Sequence, residues 1–228
     1  MKTLSTIKVP RQTKAILWDM DGVLVDSLSL DLWVVNELLA KCAGKEVTLP
    51  RGFIRSIFAF DIPKFWELIF ERVKKEFNIP ISAIEQKSIV KTYTALRQKS
   101  RFPVGAGVES IIEAAKRQGI KNAAVSNNPR QEVEEILERA GILEKFDIVV
   151  GNDALSDMKR KPAPDIYLYT LLKLGISSNE AVVIEDSVTG VEAGKRAGCY
   201  VIGVASGGTS LEVLQDYSQY CNKAYENF

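Results

Sequence analysis

Short apolar runs alternate with amphipathic segments over most of the chain. Beyond a turn at 104–107 that opens a helix to about residue 118, the pattern predicts strands at 122–125, 147–150, 182–184 and 200–204, and helices at 130–140, 163–174 and 187–197. Repeated strand–helix units predict a parallel sheet with helices on both faces. The apolar run at 15–18 adds one more strand to this sheet.

The stretch from residue 28 to residue 100 has helical periodicity and no convincing strand. Helices are predicted at 28–42, at 82–99 and twice within 53–77, where Asp61-Ile62-Pro63 separates the two. We therefore predict an α/β fold in which a doubly wound parallel sheet, residues 1–27 and 101–228, carries a small all-helical domain, residues 28–100. The expected core of the helical domain is aromatic: Trp33, Phe58, Phe65, Trp66 and Phe70.

Composition narrows the class of partner. The 228 residues are 46% hydrophobic and 26% charged, with a formal net charge of +1 and no block of like charges. This balance predicts a small-molecule partner rather than nucleic acid or a membrane, and a monomer or weak dimer is expected. Since neither a signal peptide nor an apolar run of roughly 18 residues stands out, we expect a cytoplasmic protein.

The chain contains no histidine, which is the commonest general base and transition-metal ligand. Proton transfer must then fall to carboxylates, lysine, tyrosine or thiols. A bound metal is expected to have oxygen ligands, which favours magnesium, manganese or calcium. Cys42, Cys199 and Cys221 are far apart and predict buried small residues rather than a disulfide framework or a zinc cluster.

Polar residues cluster at four places that follow apolar strands or precede a helix. The places are Asp19-x-Asp21-Gly22, Ser126-Asn127-Asn128, Lys161-Pro162 and Glu185-Asp186-Ser187. Each one alone is a common turn or helix-start composition. Because the carboxyl ends of parallel strands meet at one edge of a sheet, we expect all four to converge on one site.

Such a site would hold four carboxylates, which cannot all stay ionised in a crevice without a cation. Mg²⁺ resolves the conflict, since it prefers a few carboxylates together with water and a substrate phosphate. A phosphate would also explain Lys161 and the Ser126 hydroxyl as ligands for its oxygens. The set predicts phosphoryl transfer, with Asp19 as nucleophile and Asp21 as general acid and base.

These residues resemble the motifs of the haloacid dehalogenase superfamily, in its phosphatase and β-phosphoglucomutase-like branch, whose Rossmann-like core carries a helical cap after the first strand. The resemblance covers nearly the whole chain, with its four motifs at 19–27, 126–127, 161–165 and 185–190. It implies catalytic roles for Asp19 and Asp21, phosphate binding by Ser126, Asn127 and Lys161, and Mg²⁺ binding by Asp19, the Asp21 backbone carbonyl, Glu185 and Asp186. Glu185 would bind the Mg²⁺ either directly or through a water molecule.

Two features of the sequence favour some branches of the family over others. Asp21 disfavours the dehalogenase and phosphonatase branches, which lack an acidic residue at this place, and the missing histidine disfavours a β-phosphoglucomutase-like mutase. The resemblance thus implies a Mg²⁺-dependent phosphatase for a small metabolite of the sugar phosphate or phosphoglycolate type. A mutase, or a non-catalytic binding protein on the same scaffold, is the alternative. Residues 49–55 resemble a loop that closes over the site in related enzymes, so Arg51 and Arg55 are candidates for contacting a substrate anion.

Overall fold

The computed structural model describes residues 1–57, 62–217 and 219–228. The chain divides into two compact units: a sheet unit, Met1–Asp26 with Phe102–Phe228, and a helical unit, Ser27–Arg101. Phe58 and Asp61, which entered the sequence predictions, lie outside the described residues. No helix in the described part of the chain combines the length and apolar character that crossing a membrane requires.

The sheet unit contains the parallel sheet that the sequence predicts, with a sixth strand, Lys223–Tyr225, that was not predicted. A short antiparallel hairpin that was not predicted, β1 (Lys2–Leu4) with β2 (Ile7–Val9), precedes it. The six strands are β3 (Ala15–Trp18), β4 (Lys121–Val125), β5 (Ile148–Val150), β6 (Ala181–Glu185), β7 (Tyr200–Val204) and β8 (Lys223–Tyr225). Their order is β5-β4-β3-β6-β7-β8, which places β3 next to β4 and β6 in the middle.

The position of β3 follows from its composition. All four of its residues are apolar and fully buried, as expected for a strand covered on both faces. In the parallel register, Leu17 pairs with Ala123 on one side and with Val183 on the other. The three central strands therefore end at the same edge of the sheet.

The helical unit contains four described helices and no described strand. They are α1 (Ser27–Ala43), α2 (Arg51–Ile57), α3 (Ile62–Phe77) and α4 (Ala83–Lys99). A capping box fixes the start of α4, since the Ser82 side chain accepts from the Glu85 N–H while the Glu85 carboxylate accepts from the Ser82 N–H. Pro63 lies in the first turn of α3, as predicted.

Two expectations for the helical unit are wrong. Helix α2 begins at Arg51 rather than at the predicted residue 53, so residues 51 and 52, which resemble part of a loop, are helical, and the Pro50 carbonyl accepts from the Phe53 and Ile54 N–H groups. Trp33 is 58% exposed rather than part of the core, because the buried face of α1 carries Val34 and Val35 instead. Phe65 and Trp66 are buried and Phe70 is half-buried, so these three form an aromatic core with Tyr93.

Five α-helices lie in the described part of the sheet unit. They are α5 (Val108–Arg117), α6 (Arg130–Ala140), α7 (Asp165–Leu174), α8 (Val188–Arg196) and α9 (Leu211–Asp216). Helix α7 begins two residues later than predicted, since Pro164 occupies its N-cap position. Cys199 and Cys221 are buried, as predicted, whereas Cys42 is only half-buried.

Candidate active site

The central strands bring the predicted polar residues together at one edge of the sheet. Trp18 at the end of β3 pairs with Ile184 on β6. Asp19, Ser126 and Asp186, which directly follow the neighbouring strands β3, β4 and β6, therefore lie side by side. The Asp19 N–H donates to the Ile184 carbonyl at 2.9 Å, which extends the strand pairing up to the carboxylate.

Lys161 is the buried cation of this site. Its Nζ donates to Asp19 Oδ1 at 2.5 Å and to Glu185 Oε1 at 2.7 Å, and it lies 4.9 Å from the centre of the Tyr167 ring. Burial lowers the pKa of Lys161, but the two carboxylates outweigh burial and raise this pKa well above its ordinary value. Lys161 therefore stays protonated and gives the nucleophile candidate a fixed positive neighbour.

Glu185 is fully buried, and both of its carboxylate oxygens accept hydrogen bonds from the chain. Oε1 accepts from Lys161 and from the Tyr167 hydroxyl at 2.9 Å. Oε2 accepts from the Asp186 N–H at 3.1 Å and from the Ser187 hydroxyl at 2.9 Å. Burial raises the pKa of Glu185, but the charge and hydrogen bond of Lys161 outweigh it and lower the pKa. Glu185 thus anchors Lys161 as an ionised partner.

Asp19 and Asp186 carry raised pKa values. Burial, together with the charges of Glu185 and Asp186, raises the pKa of Asp19 well above its ordinary range despite the nearby lysine. Burial and the charge of Glu185 raise the pKa of Asp186 to about 7, although its Oδ2 accepts from the Gly208 N–H at 2.9 Å. The site therefore holds more negative charge than Lys161 balances.

The same carboxylates form a candidate metal site. One oxygen from each of Asp19, Glu185 and Asp186 lies within 4.8 Å of the other two. An all-oxygen donor set suits a hard cation such as Mg²⁺, and a divalent ion would offset the excess negative charge. Within the described part of the chain, the Asp21 side chain is not a member of this group.

Ser126 and Asn127 lie in the loop that follows β4. Ser126 is buried, and its Oγ accepts from the Asn128 N–H at 3.2 Å. Asn127 Oδ1 accepts from the Lys161 N–H at 3.2 Å, which joins this loop to the one that carries the lysine. Asn128 Nδ2 lies 3.5 Å from the Asp21 carboxylate, at the limit of a hydrogen bond. The loop after β4 is thus linked to the loop that carries Lys161 and lies beside Asp21.

Arg51 and Arg55 belong to the helical unit, on α2. Arg51 Nη1 donates to Ser29 Oγ at 2.5 Å, and Arg55 is half-buried. Their contact with a substrate anion stays a prediction.

Two parts of the site were not predicted from the sequence. Tyr167 lies in the first turn of α7, where its apolar neighbours made it look like an ordinary core residue. The run Ser206-Gly207-Gly208 begins two residues after the end of β7, and the Gly208 N–H donates to Asp186. The rule that polar residues after an apolar strand mark the site, applied to β7 as well, would have found this second part.

Comparisons with known proteins identify the family of this chain. The sequence profile of the haloacid dehalogenase-like hydrolases matches residues 16–204. A phosphorylated carbohydrates phosphatase of Thermotoga maritima is 32% identical over 187 residues, which cover 81% of this chain and 82% of that protein. Phosphoglycolate phosphatase of Haemophilus influenzae is 28% identical over 199 residues, covering 86% and 87%.

A solved structure shares the fold. A haloacid dehalogenase family hydrolase from Deinococcus radiodurans, crystallised with bound phosphate and sodium, superposes with a TM-score of 0.77 at 23% identity, over 94% of this chain and 91% of that one. The family profile spans the strands β3, β4, β6 and β7 that build the site. By its sequence and its fold, the chain belongs to the haloacid dehalogenase-like hydrolase family.

Proposed function

We propose that this hydrolase is a Mg²⁺-dependent phosphatase that cleaves small phosphoric monoesters through a phosphorylated Asp19. The observation that carries the proposal is the charge arrangement at the strand ends. The Asp19 carboxylate lies 2.5 Å from the Lys161 ammonium and within 4.8 Å of an Asp186 oxygen. A carboxylate fixed in this way beside a buried cation is suited to attack the phosphorus of an anionic ester.

The chemistry takes two displacements at phosphorus. In the first, an Asp19 oxygen forms a bond to phosphorus, the ester P–O bond breaks, and the leaving oxygen takes a proton from Asp21. In the second, Asp21 accepts a proton from water as that water attacks the phosphorus of phospho-Asp19. Inorganic phosphate leaves and the Asp19 carboxylate is restored. Ser126, Asn127 and Lys161 bind the phosphoryl oxygens during both steps.

The residues present suit Mg²⁺. Asp19 and Asp186 would hold it with side-chain oxygens and Asp21 with its backbone carbonyl, while Glu185, whose oxygens already accept donors from the chain, would act through water. When bound, Mg²⁺ offsets the negative charge of the carboxylates and of the transferred phosphoryl group.

The substrate is proposed to be a sugar phosphate or phosphoglycolate type of metabolite. Two relatives are named for phosphorylated carbohydrates and for phosphoglycolate, and these names support the same class here. We assign Arg51 and Arg55 to contact with an anionic group of that substrate.

The test is phosphate release from a panel of sugar phosphates and phosphoglycolate, with Mg²⁺ and with EDTA. Asp19→Asn should lower kcat by at least about a thousandfold, because an amide cannot serve as the nucleophile. Asp216→Asn, an exposed change at the end of α9, is the matched control and should match the wild type. Full turnover by Asp19→Asn would contradict the mechanism. Conversion of a sugar 1-phosphate into its 6-phosphate without phosphate release would instead identify a mutase.

A further inference from the structure

The segment after β7 contacts two of the loops that form the candidate metal site. The Ser206 hydroxyl donates to the carbonyl of Gly22, the residue directly after Asp21. Two residues later, the Gly208 N–H donates to Asp186 Oδ2 at 2.9 Å. One short segment therefore bonds both to the turn that carries Asp21 and to the carboxylate at the end of β6.

Gly207, between these two donors, is buried and lies against the same groups. A Cβ added at Gly207 would overlap the Asp186 carboxylate and would lie 2.9 Å from the Gly22 Cα. At Gly22, an added Cβ would likewise overlap Asp186 Oδ2 and lie 2.8 Å from the Gly207 Cα. The Asp186 carboxylate thus sits between two glycines, with room for its oxygens and for no side chain.

We propose that Ser206, Gly207 and Gly208, the 206–208 loop, position Asp186 and the Asp21–Gly22 turn for binding Mg²⁺. The inference rests on the proposed function and adds a loop whose residues touch the metal-binding groups rather than the metal. Ser206 fixes the turn from which the Asp21 carbonyl is offered. The Gly208 N–H occupies one lone pair of Asp186 Oδ2, which leaves the remaining oxygen positions to face the site.

The test is Mg²⁺ binding by the full-length, metal-free protein, measured by isothermal titration calorimetry without substrate. Gly207→Ala should raise the Kd for Mg²⁺ about 10- to 100-fold, the range usual for residues that orient metal ligands. Gly208→Ala keeps the N–H donor and places its methyl where nothing lies within 4 Å, so its effect should be at least fivefold smaller. The melting temperatures of the metal-free proteins then show whether weaker Mg²⁺ binding comes from a loss of folding or from a loss of positioning in a folded protein.

Ser206→Ala keeps the inference testable if Gly207→Ala does not fold. This change only removes a hydroxyl, and we expect it to raise the Kd about threefold or more with an unchanged melting temperature in EDTA. Wild-type Mg²⁺ affinity in the folded variants would overturn the positioning role alone. If the wild type itself binds no Mg²⁺, both the proposed function and this role are overturned. Mg²⁺ binding by the wild type therefore distinguishes a failure of the proposed function from a failure of the positioning role alone.

Discussion

Tyr167 acts on the candidate active site through its neighbours. Its hydroxyl donates at 2.9 Å to Glu185 Oε1, the oxygen that also accepts from Lys161 at 2.7 Å. All three side chains are buried, so each lost hydrogen bond leaves a polar group without water to replace it. Tyr167 is therefore a positioning residue, since it holds the carboxylate that holds the lysine.

Replacing Tyr167 with Phe should lower kcat about tenfold and leave KM within about twofold of the wild type. The ring that packs beside the ammonium is kept, while a hydrogen bond to a charged group, worth about 1.5–3 kcal/mol, is lost. Steady-state kinetics of phosphate release measures the split between kcat and KM. Tyr169→Phe on the same helix is the control, because the Tyr169 ring faces Lys173 rather than the site. Equal kcat values in the two variants would refute the positioning role.

At the scale of elements, the start of α8 depends on a close approach between the helix and the end of β6. The Ser187 side chain caps the helix by accepting from the Gly190 N–H at 3.1 Å, and it also donates to Glu185 at 2.9 Å. A Cβ added at Gly190 would overlap the Glu185 carboxylate. The glycine in the fourth sequence motif is therefore required by packing against a buried charged group.

Gly190→Ala should destabilise the protein by about 1–3 kcal/mol, since either α8 or the Glu185 carboxylate must move. Urea unfolding followed by circular dichroism measures the change. Gly52→Ala places its methyl where nothing lies within 4 Å, on helix α2, and alanine favours helix there. The control should thus be as stable as the wild type or more so. A Gly190→Ala protein of unchanged stability would show that the contact is easily relieved.

Sequence patterns predicted the elements that have strong periodicity or a continuous apolar run. Strand β3 and its neighbours β4 and β6 were found because burial on both faces gives each of them a continuous apolar run, at 15–18, 123–125 and 181–184. Strand β8 and the β1–β2 hairpin were missed because strands of three residues are too short to show a period of two and because a lysine in each interrupts the apolar run that marked β5. The residues of β8 are all half-buried, so no apolar run marks it either.

The candidate site was predictable to the extent that its residues follow those strands. Asp19, Ser126 and Asp186 sit where parallel strands end, so their convergence follows from the topology. The hydrogen bond from Tyr167 to Glu185 depends on how α7 packs against the sheet, and local sequence patterns do not predict this packing. The same holds for Trp33, whose exposure depends on which face of α1 is covered.

For the whole molecule, the burial and the excess negative charge of the site's carboxylates couple folding stability to pH and to metal. The folded state raises the pKa of Asp19 well above its ordinary value and that of Asp186 from 3.8 to about 7. Both groups then hold protons more tightly when folded than when unfolded. The contribution of Asp186 to stability is therefore complete below about pH 4 and is lost as the pH rises through about 7, and Asp19 acts in the same direction. Mg²⁺ competes with these protons for the carboxylates, so its stabilising effect should increase as the pH rises.

In EDTA, the free energy of unfolding should fall by about 1 kcal/mol between pH 6 and pH 8, from the titration of Asp186 alone. Urea unfolding at the two pH values measures the difference, and Asp186→Asn, which cannot titrate, should remove most of it. Adding Mg²⁺ should stabilise the wild type more at pH 8 than at pH 6, because fewer protons must be displaced at the higher pH. An equal loss of stability in Asp186→Asn would mean that the pH dependence arises elsewhere in the molecule. A smaller Mg²⁺ effect at pH 8 than at pH 6 would contradict the competition between metal and proton for these carboxylates.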